Sequence, residues 1–236
     1  MSIERLDIAG ANVEIRWKSI KNLHIGVYPP SGNVRVAAPL SLSLDAVKVA
    51  VLTRMPWIRR KQAQFARQER QTARSFVSGE THYVFGRPMR LAVSTWDRRT
   101  HRITATGSDR LELLVPAGSK AEDRKTWMED WHRAELRRVA APRIERWAER
   151  IGAAPSNWGI RRMKTKWGSC NPEKGTIWLN LELARKDIAA VDYVILHEIA
   201  HFVSPRHDTT FIAVLNHLMP NWRQIRADLN AAPLTD

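Results

Sequence analysis

Cysteine is nearly absent from this chain. Cys170 is the single one in 236 residues, so no disulfide can form within one chain. A reducing compartment fits that usage. Long apolar runs are absent too: no stretch reaches the roughly 18 apolar residues of a membrane span. The opening Met1-Ser2-Ile3-Glu4-Arg5-Leu6-Asp7-Ile8 lacks the basic and apolar regions of a secretory signal. A soluble cytoplasmic protein without a membrane partner is expected. Glycine and proline are modest, at 11 and 12, which excludes collagen-like and low-complexity chains. No internal repeat is evident. Acid is scarce, with 24 Asp and Glu against 38 Lys and Arg, for a net charge of +14. The surplus is uneven, since residues 1–118 hold 19 basic and 9 acidic residues. Such a balance suits nucleic acid, nucleotide or other anionic partners, although an arginine-rich composition gives it without any binding.

What is present is an alternation of strand and helix signals. Val13-Glu14-Ile15-Arg16-Trp17 and Leu23-His24-Ile25-Gly26-Val27 have the two-residue period of strands. A turn is expected at 29–33, then a strand at Val34-Arg35-Val36. Ser43 reads as the N-cap of a helix with Leu44, Val47, Val51 and Leu52 on one face, and Pro56 should kink or restart it. Residues 54–74 predict a helix with an apolar seam and a basic outer face (Arg54, Arg59, Arg60, Lys61, Arg67, Arg70, Arg74). Tyr83-Val84-Phe85, a turn at Gly86-Arg87-Pro88 and Leu91-Ala92-Val93 predict a hairpin. Further strands are expected at Ile103 and 111–115. Residues 120–151 predict a long helix that Pro142 must bend or split. These readings divide the chain into a β-rich region with one basic helix, 1–118, and a second domain, 119–236.

The chemistry concentrates in His197-Glu198-Ile199-Ala200-His201. Asp187 can cap a helix that carries the motif. Residues i and i+4 share a helix face, so His197 and His201 can present two imidazoles to one metal ion. Glu198 lies about 100° round the helix and can reach a water on that metal without ligating it. Pro205 ends the helix, and a chain turning back there could place His207 on the same ion. By chance the motif arises in roughly one or two of a hundred such chains, and a third histidine at a fixed offset lowers this about thirtyfold. Three imidazoles favour zinc over magnesium or calcium, and a catalytic zinc keeps one position for water. Glu198 would then act as the general base. His217, Arg206 and Tyr193 are candidates for stabilising an oxyanion. Cys170 is a weaker ligand candidate.

A second distinctive stretch runs from Ile160 through Lys164-Thr165-Lys166-Trp167-Gly168-Ser169-Cys170, and on to Thr176-Ile177-Trp178-Leu179-Asn180. Strand, turn, strand is its natural reading. Gly168 permits a close backbone approach or a bulge. An edge strand here could add a peptide by backbone hydrogen bonds, with Lys166, Trp167, Gly168 and Ser169 as possible substrate-binding residues.

Together, Trp167-Gly168-Ser169-Cys170, Ile177 to Asn180, Tyr193-Val194, the His197 to His201 motif, His207 and Phe211 resemble the YgjP-like zinc metallopeptidase family. That family is related to SprT-like and other short zincin proteases. Ser78-Gly79-Glu80 and Trp57-Ile58 extend the resemblance more loosely toward the N-terminus. The resemblance implies an α+β fold: a zincin-like domain with a helix-borne metal site under a small sheet, and an N-terminal β-rich extension. It implies His197, His201 and His207 as zinc ligands and Glu198 as catalytic base. The ligand offsets also match metzincins, but their glycine three residues after the second histidine is here Ser204.

A zinc-dependent peptidase acting on a peptide or protein is the leading expectation. A metal-dependent hydrolase of a nucleotide or other phosphate substrate is the alternative, motivated by Arg161, Arg162, Lys164, Lys166 and Lys174. A nucleic-acid-associated protein or protease is the third, motivated by the basic N-terminal half.

Overall fold

The structure is a computed structural model that describes residues 3–28, 31–67 and 74–231. The chain folds as two compact units, Met1–Gln71 with Pro233–Asp236, and Thr72–Ala232. The division read from the sequence at residue 118 falls inside the second unit, in the loop after a sheet that packs on the next helix.

The first unit opens with β1 (Ile3–Ile8) and β2 (Ala11–Lys18), followed by β3 (His24–Tyr28) and β4 (Asn33–Pro39). The sheet order is β1-β2-β4-β3, with β2 and β4 parallel and both outer pairs antiparallel. Alternation buries Val13, Ile15, Val34 and Val36 against α1 (Leu44–Thr53) and α2 (Met55–Arg67). Ser43 caps α1 by accepting from the Ala46 amide at 3.3 Å. Pro56 restarts the helix as α2, at the first turn, where its missing N–H costs nothing. Ile58 is fully buried on α2, and Arg59 and Arg60 are exposed. Pro29, Pro30 and Arg70 lie outside the described residues. Arg74 does not continue the basic face, because it sits beside His82, 3.3 Å from its Nδ1.

The second unit begins with β5 (Thr81–Val84), β6 (Arg87–Trp96), β7 (Arg102–Thr106) and β8 (Arg110–Pro116). Its sheet order is β5-β6-β8-β7, again with a parallel central pair and antiparallel outer pairs. This is the topology of the first sheet repeated. Both opening hairpins close through two residues with positive φ: Ala9 and Gly10 at 52° and 79°, Phe85 and Gly86 at 47° and 81°. Both fourth strands end in proline, Pro39 and Pro116. Each proline is followed four residues on by a helix N-cap, Ser43 and Lys120. The repeat escapes the sequence because matched core positions interchange among Val, Leu and Ile, which period-2 burial treats alike. The turn after β5 falls at Phe85-Gly86, one residue before the one read from sequence.

Helix α3 (Ala121–Ile151) then runs unbroken for 31 residues. Pro142 neither splits nor ends it. Pro142 and Arg138 are both exposed, so the Arg138 carbonyl, which loses its helical donor to the proline, can bond water instead. Met128 packs on the second sheet, while Leu136, Ala140, Ile144 and Trp147 enter the core around the C-terminal elements. These are β9 (Asn157–Arg161), β10 (Gly168–Asn171), β11 (Thr176–Asn180), a 3-10 turn (Leu181–Arg185), α4 (Ile188–Ala200), α5 (Thr209–Leu218) and α6 (Trp222–Ala231). The small sheet has the order β10-β11-β9, with β10 an antiparallel edge strand and β9 parallel to β11. Residues 160–170 are thus the end of one strand, a loop and the start of another. The fold is mixed α and β with an N-terminal β-rich part, as expected. Among the described residues no helix is long and apolar enough to cross a membrane.

The repeated turn is used differently in its two places. The Phe85 amide donates to the Ala184 carbonyl at 2.8 Å, tying this hairpin to the 3-10 turn before α4. A Cβ on Gly86 would collide with the Asp187 carboxylate, whereas one on Gly10 would meet open space. Asp187 is the N-cap residue of α4, but its side chain makes no capping bond. Gly10→Ala should therefore cost only the left-handed penalty of about 1–2 kcal/mol. Gly86→Ala adds a collision to that penalty and should cost at least twice as much. Chemical denaturation read with amide exchange in each unit measures both, and equal costs would refute the distinction.

Candidate metal centre

Helix α4 is apolar on almost every side. Val191, Ile195, Leu196 and Ile199 are fully buried, which is the pattern of a helix in the centre of a core. Its last turn carries His197 and Glu198, and His201 stands at the C-cap. The helical period places both imidazoles on one side, with ring centroids 5.1 Å apart.

The chain after His201 is turned by Ser204. Its carbonyl lies 3.3 Å from His201 Nδ1, and its buried hydroxyl donates to the Asp208 carboxylate at 2.8 Å. Asp208 in turn caps α5 by accepting from the Phe211 amide at 3.0 Å. This turn brings His207 back onto α4, with its Nε2 3.1 Å from His197 Nε2. Phe211 is buried beneath all three imidazoles, 4.7–5.0 Å from each ring centroid.

One nitrogen from each of His197, His201 and His207 lies within 4.8 Å of the others. Tetrahedral zinc with Zn–N near 2.0–2.1 Å sets its nitrogens about 3.4 Å apart, so the donor set suits such an ion. The outer nitrogens are engaged. His201 Nδ1–H donates to Ser204, and His197 Nδ1 faces the Tyr193 hydroxyl at 3.5 Å. That arrangement leaves the Nε2 lone pairs for a metal. Burial, then the neighbouring His201 and His207, pull His197 down to about 3. Burial also lowers His201. Both shifts favour the neutral imidazole, the form that binds a metal.

Glu198 is 5% exposed. Burial pushes its carboxyl up to about 8, against the pull of Lys166. A Cβ on Gly168 would collide with this carboxylate. The absent side chain is what lets β10 lie against Glu198. The strand is held there by Asn180, which is wholly buried. Its amide donates to the Met163 and Lys166 carbonyls at 2.8 and 2.7 Å, and its oxygen accepts from the Glu182 amide at 3.2 Å.

A cavity of about 450 Å³ gathers Lys166, Trp167, Gly168, Ser169, His197, Glu198, His201 and His207. The structure therefore brings the three histidines, Glu198 and the Lys166–Ser169 segment to one cavity. Among the oxyanion candidates Tyr193 lines the cavity, and Arg206 and His217 do not. Cys170 lines it but stands apart from the histidine cluster, its thiol pushed up to about 11 by burial and then by Glu198. Two of the cations near the motif are occupied elsewhere. Arg161 lies over the Trp178 ring and donates to Ser169, and Arg162 pairs with Glu129 and Glu182. Sequence reasoning missed Arg226 and Asn230, which reach the cavity from α6. Their one available signal was the i, i+4 spacing on an amphipathic helix.

The YgjP-like metallopeptidase domain family matches residues 22–232. Among solved structures, the chain is similar to the metallopeptidase zymogen of Pyrococcus abyssi abylysin, at 19% identity over 38% of this chain and 90% of that one, with a TM-score of 0.36. It is also similar to the metallopeptidase zymogen of Methanocaldococcus jannaschii jannalysin, at 24% identity over 39% and 87%, with a TM-score of 0.36. No curated protein matches it. The match spans nearly the whole chain and contains every element that builds the histidine cluster, so the chain belongs to the YgjP-like metallopeptidase family.

Proposed function

We propose that the chain is a zinc peptidase, with His197, His201 and His207 as the metal ligands and Glu198 as the general base. One observation carries the reading. Three imidazole nitrogens within 4.8 Å of one another share a cavity with a buried carboxylate and the edge strand β10. A zinc ion held there would supply Lewis acidity, making water acidic and polarising the scissile carbonyl. The protein's own groups supply the rest. The free edge of β10 can pair with an extended peptide and lay it across the cavity. Lys166, Trp167 and Ser169 flank that peptide. Glu198 takes a proton from the attacking water and returns it to the leaving amine. Its burial makes it basic enough to accept that proton near neutral pH. The Tyr193 hydroxyl lies behind His197, against its Nδ1, and orients that imidazole toward the metal. A cytoplasmic location completes the reading.

A phosphate-ester substrate is less well supported. Of the five cations that suggested it, Lys166 alone lines the cavity.

Metal analysis of the purified protein tests the ligand set. Wild type should carry about one zinc per chain, His201→Ala should lose it, and Glu198→Gln should keep it while losing peptide hydrolysis. A wild type that binds no transition metal even after reconstitution overturns the proposal. Gly168→Ala tests the approach of β10 separately. Zinc content should stay near wild type, while the added methyl pushes Glu198 or β10 aside. The expected loss in kcat/KM is about a hundredfold, the scale of a 1 Å misplacement. Wild-type turnover in Gly168→Ala would show that the close approach is not needed.

A further inference from the structure

Helix α6 brings a cation to the cavity. Trp222 and Leu229 are both buried, and Ile225 is half-buried and packs on the same core, which fixes the side of the helix that faces the protein. The Trp222 ring stacks on Tyr193 at 6.3 Å and 7°, and its indole N–H donates to Asn216 at 2.9 Å. Position 226 is four residues after Trp222 and three before Leu229, so it lies at the edge of this stripe, where Arg226 is exposed and lines the cavity. Asn230 follows one turn later and also lines the cavity.

The charge around this arginine is unbalanced. Among the described residues Glu198 is the only carboxylate on the cavity wall. The cations there are Arg226 and Lys166. Among the described residues neither side chain has a hydrogen bond or an ion pair. Arg226 is close enough to act electrostatically on Tyr193 and His197. A guanidinium offers parallel donors that match the two oxygens of a carboxylate, and an amide one turn away adds a further donor.

We propose that Arg226 is a substrate-binding residue that holds a carboxylate of the peptide, with Asn230 and Lys166 in support. The carboxylate is either the chain's C-terminus or an acidic side chain near the scissile bond. The enzyme thereby selects anionic peptides over neutral ones. This rests on the peptidase reading for the nature of the ligand, but not on turnover.

Binding to the zinc-loaded Glu198→Gln protein tests it without cleavage. Four versions of one hexapeptide serve as probes: with Glu or Gln at one position, each with a free or an amidated C-terminus. Calorimetry should show at least one carboxylate tightening binding about ten- to hundredfold, the range of a charge-assisted hydrogen bond. A loss on amidation assigns the C-terminus, and a loss on Glu to Gln assigns the side chain. Adding Arg226→Ala should abolish the difference and Arg226→Lys should restore part of it, with zinc content and melting temperature unchanged. Equal binding of all four peptides, or binding of none, overturns the proposal. So does a preference that survives Arg226→Ala. Turnover by wild type separates the two readings. Arg226-dependent binding without cleavage of any peptide leaves the carboxylate site standing and removes the peptidase. Cleavage of all four at equal kcat/KM does the reverse.

Discussion

The last turn and C-cap of α4 hold two half-buried imidazoles and a buried carboxylate on a helix that is otherwise apolar. Each such group left without a partner costs on the order of 1–3 kcal/mol. Much of the surrounding structure answers that constraint. Ser204 turns the chain so that its carbonyl meets His201 and its hydroxyl meets the cap of α5. Tyr193 meets His197. Gly168 leaves room for Glu198, and Asn180 holds the loop that brings Gly168 there. The far side of α4 is fixed as well. Asp192 accepts from Arg146 and from the Trp147 indole at 2.7 and 2.9 Å, pinning the helix to α3. One nitrogen of each of His197, His201 and His207 is left to face the others, all within 4.8 Å.

The 3-10 turn before α4 is held by charge rather than by packing alone. Arg185 donates to both Glu182 oxygens at 2.6 Å, and Glu182 is nearly buried. Arg162 bridges Glu182 to Glu129 of α3. Buried pairs add little net stability against an apolar replacement, but losing one partner strands a charge. The network therefore defines a position more than it adds stability. The Phe85 and Gly86 hairpin closes on the same turn through backbone bonds. The second sheet thus acts as a brace for the helix that carries the histidines. In the first unit the equivalent hairpin tip is held only by a side chain, Arg59 of α2 donating to the Ala9 carbonyl at 3.3 Å, and its Gly10 faces open space.

How much of this was legible follows from the range of each signal. The i, i+4 histidines read correctly because helix geometry alone places them on one face. His207 returns to the same histidines, as a turn at Pro205 allows, with its Nε2 3.1 Å from His197 Nε2. The Ser43 cap and the two-residue period of β2, β3, β4 and β8 were equally local. Pro142 misled because a proline breaks a helix only where the freed carbonyl lacks another partner, and exposure is not written in the sequence. The repeated sheet was invisible because burial asks for an apolar side chain and not for a particular one. The boundary at residue 118 cuts one unit because Met128 and Leu136, two turns apart on α3, belong to different cores that the same helix joins. Arg226 was missed because only the packing of Trp222 and Leu229 shows which way α6 faces.

The basic composition has an internal explanation. The chain holds 10 tryptophans, and its arginines lie over many of their rings. Arg137 covers Trp158, Arg161 covers Trp178, and Arg146 and Arg150 both cover Trp147. Arg98 and Arg102 flank Trp96, and Arg223 covers Trp222. Guanidinium suits this better than ammonium, being planar and weakly hydrated, and it shields large aromatic surfaces that would otherwise face water. Net charge is therefore a poor guide to the partner, because a cation lying over a tryptophan is already placed by its own fold. The informative cations are those the fold leaves unengaged beside the buried Glu198 carboxylate. Among the described residues Lys166 and Arg226 are the two on the cavity wall. A surplus of 14 spread over the surface selects nothing, whereas two cations on one cavity wall can.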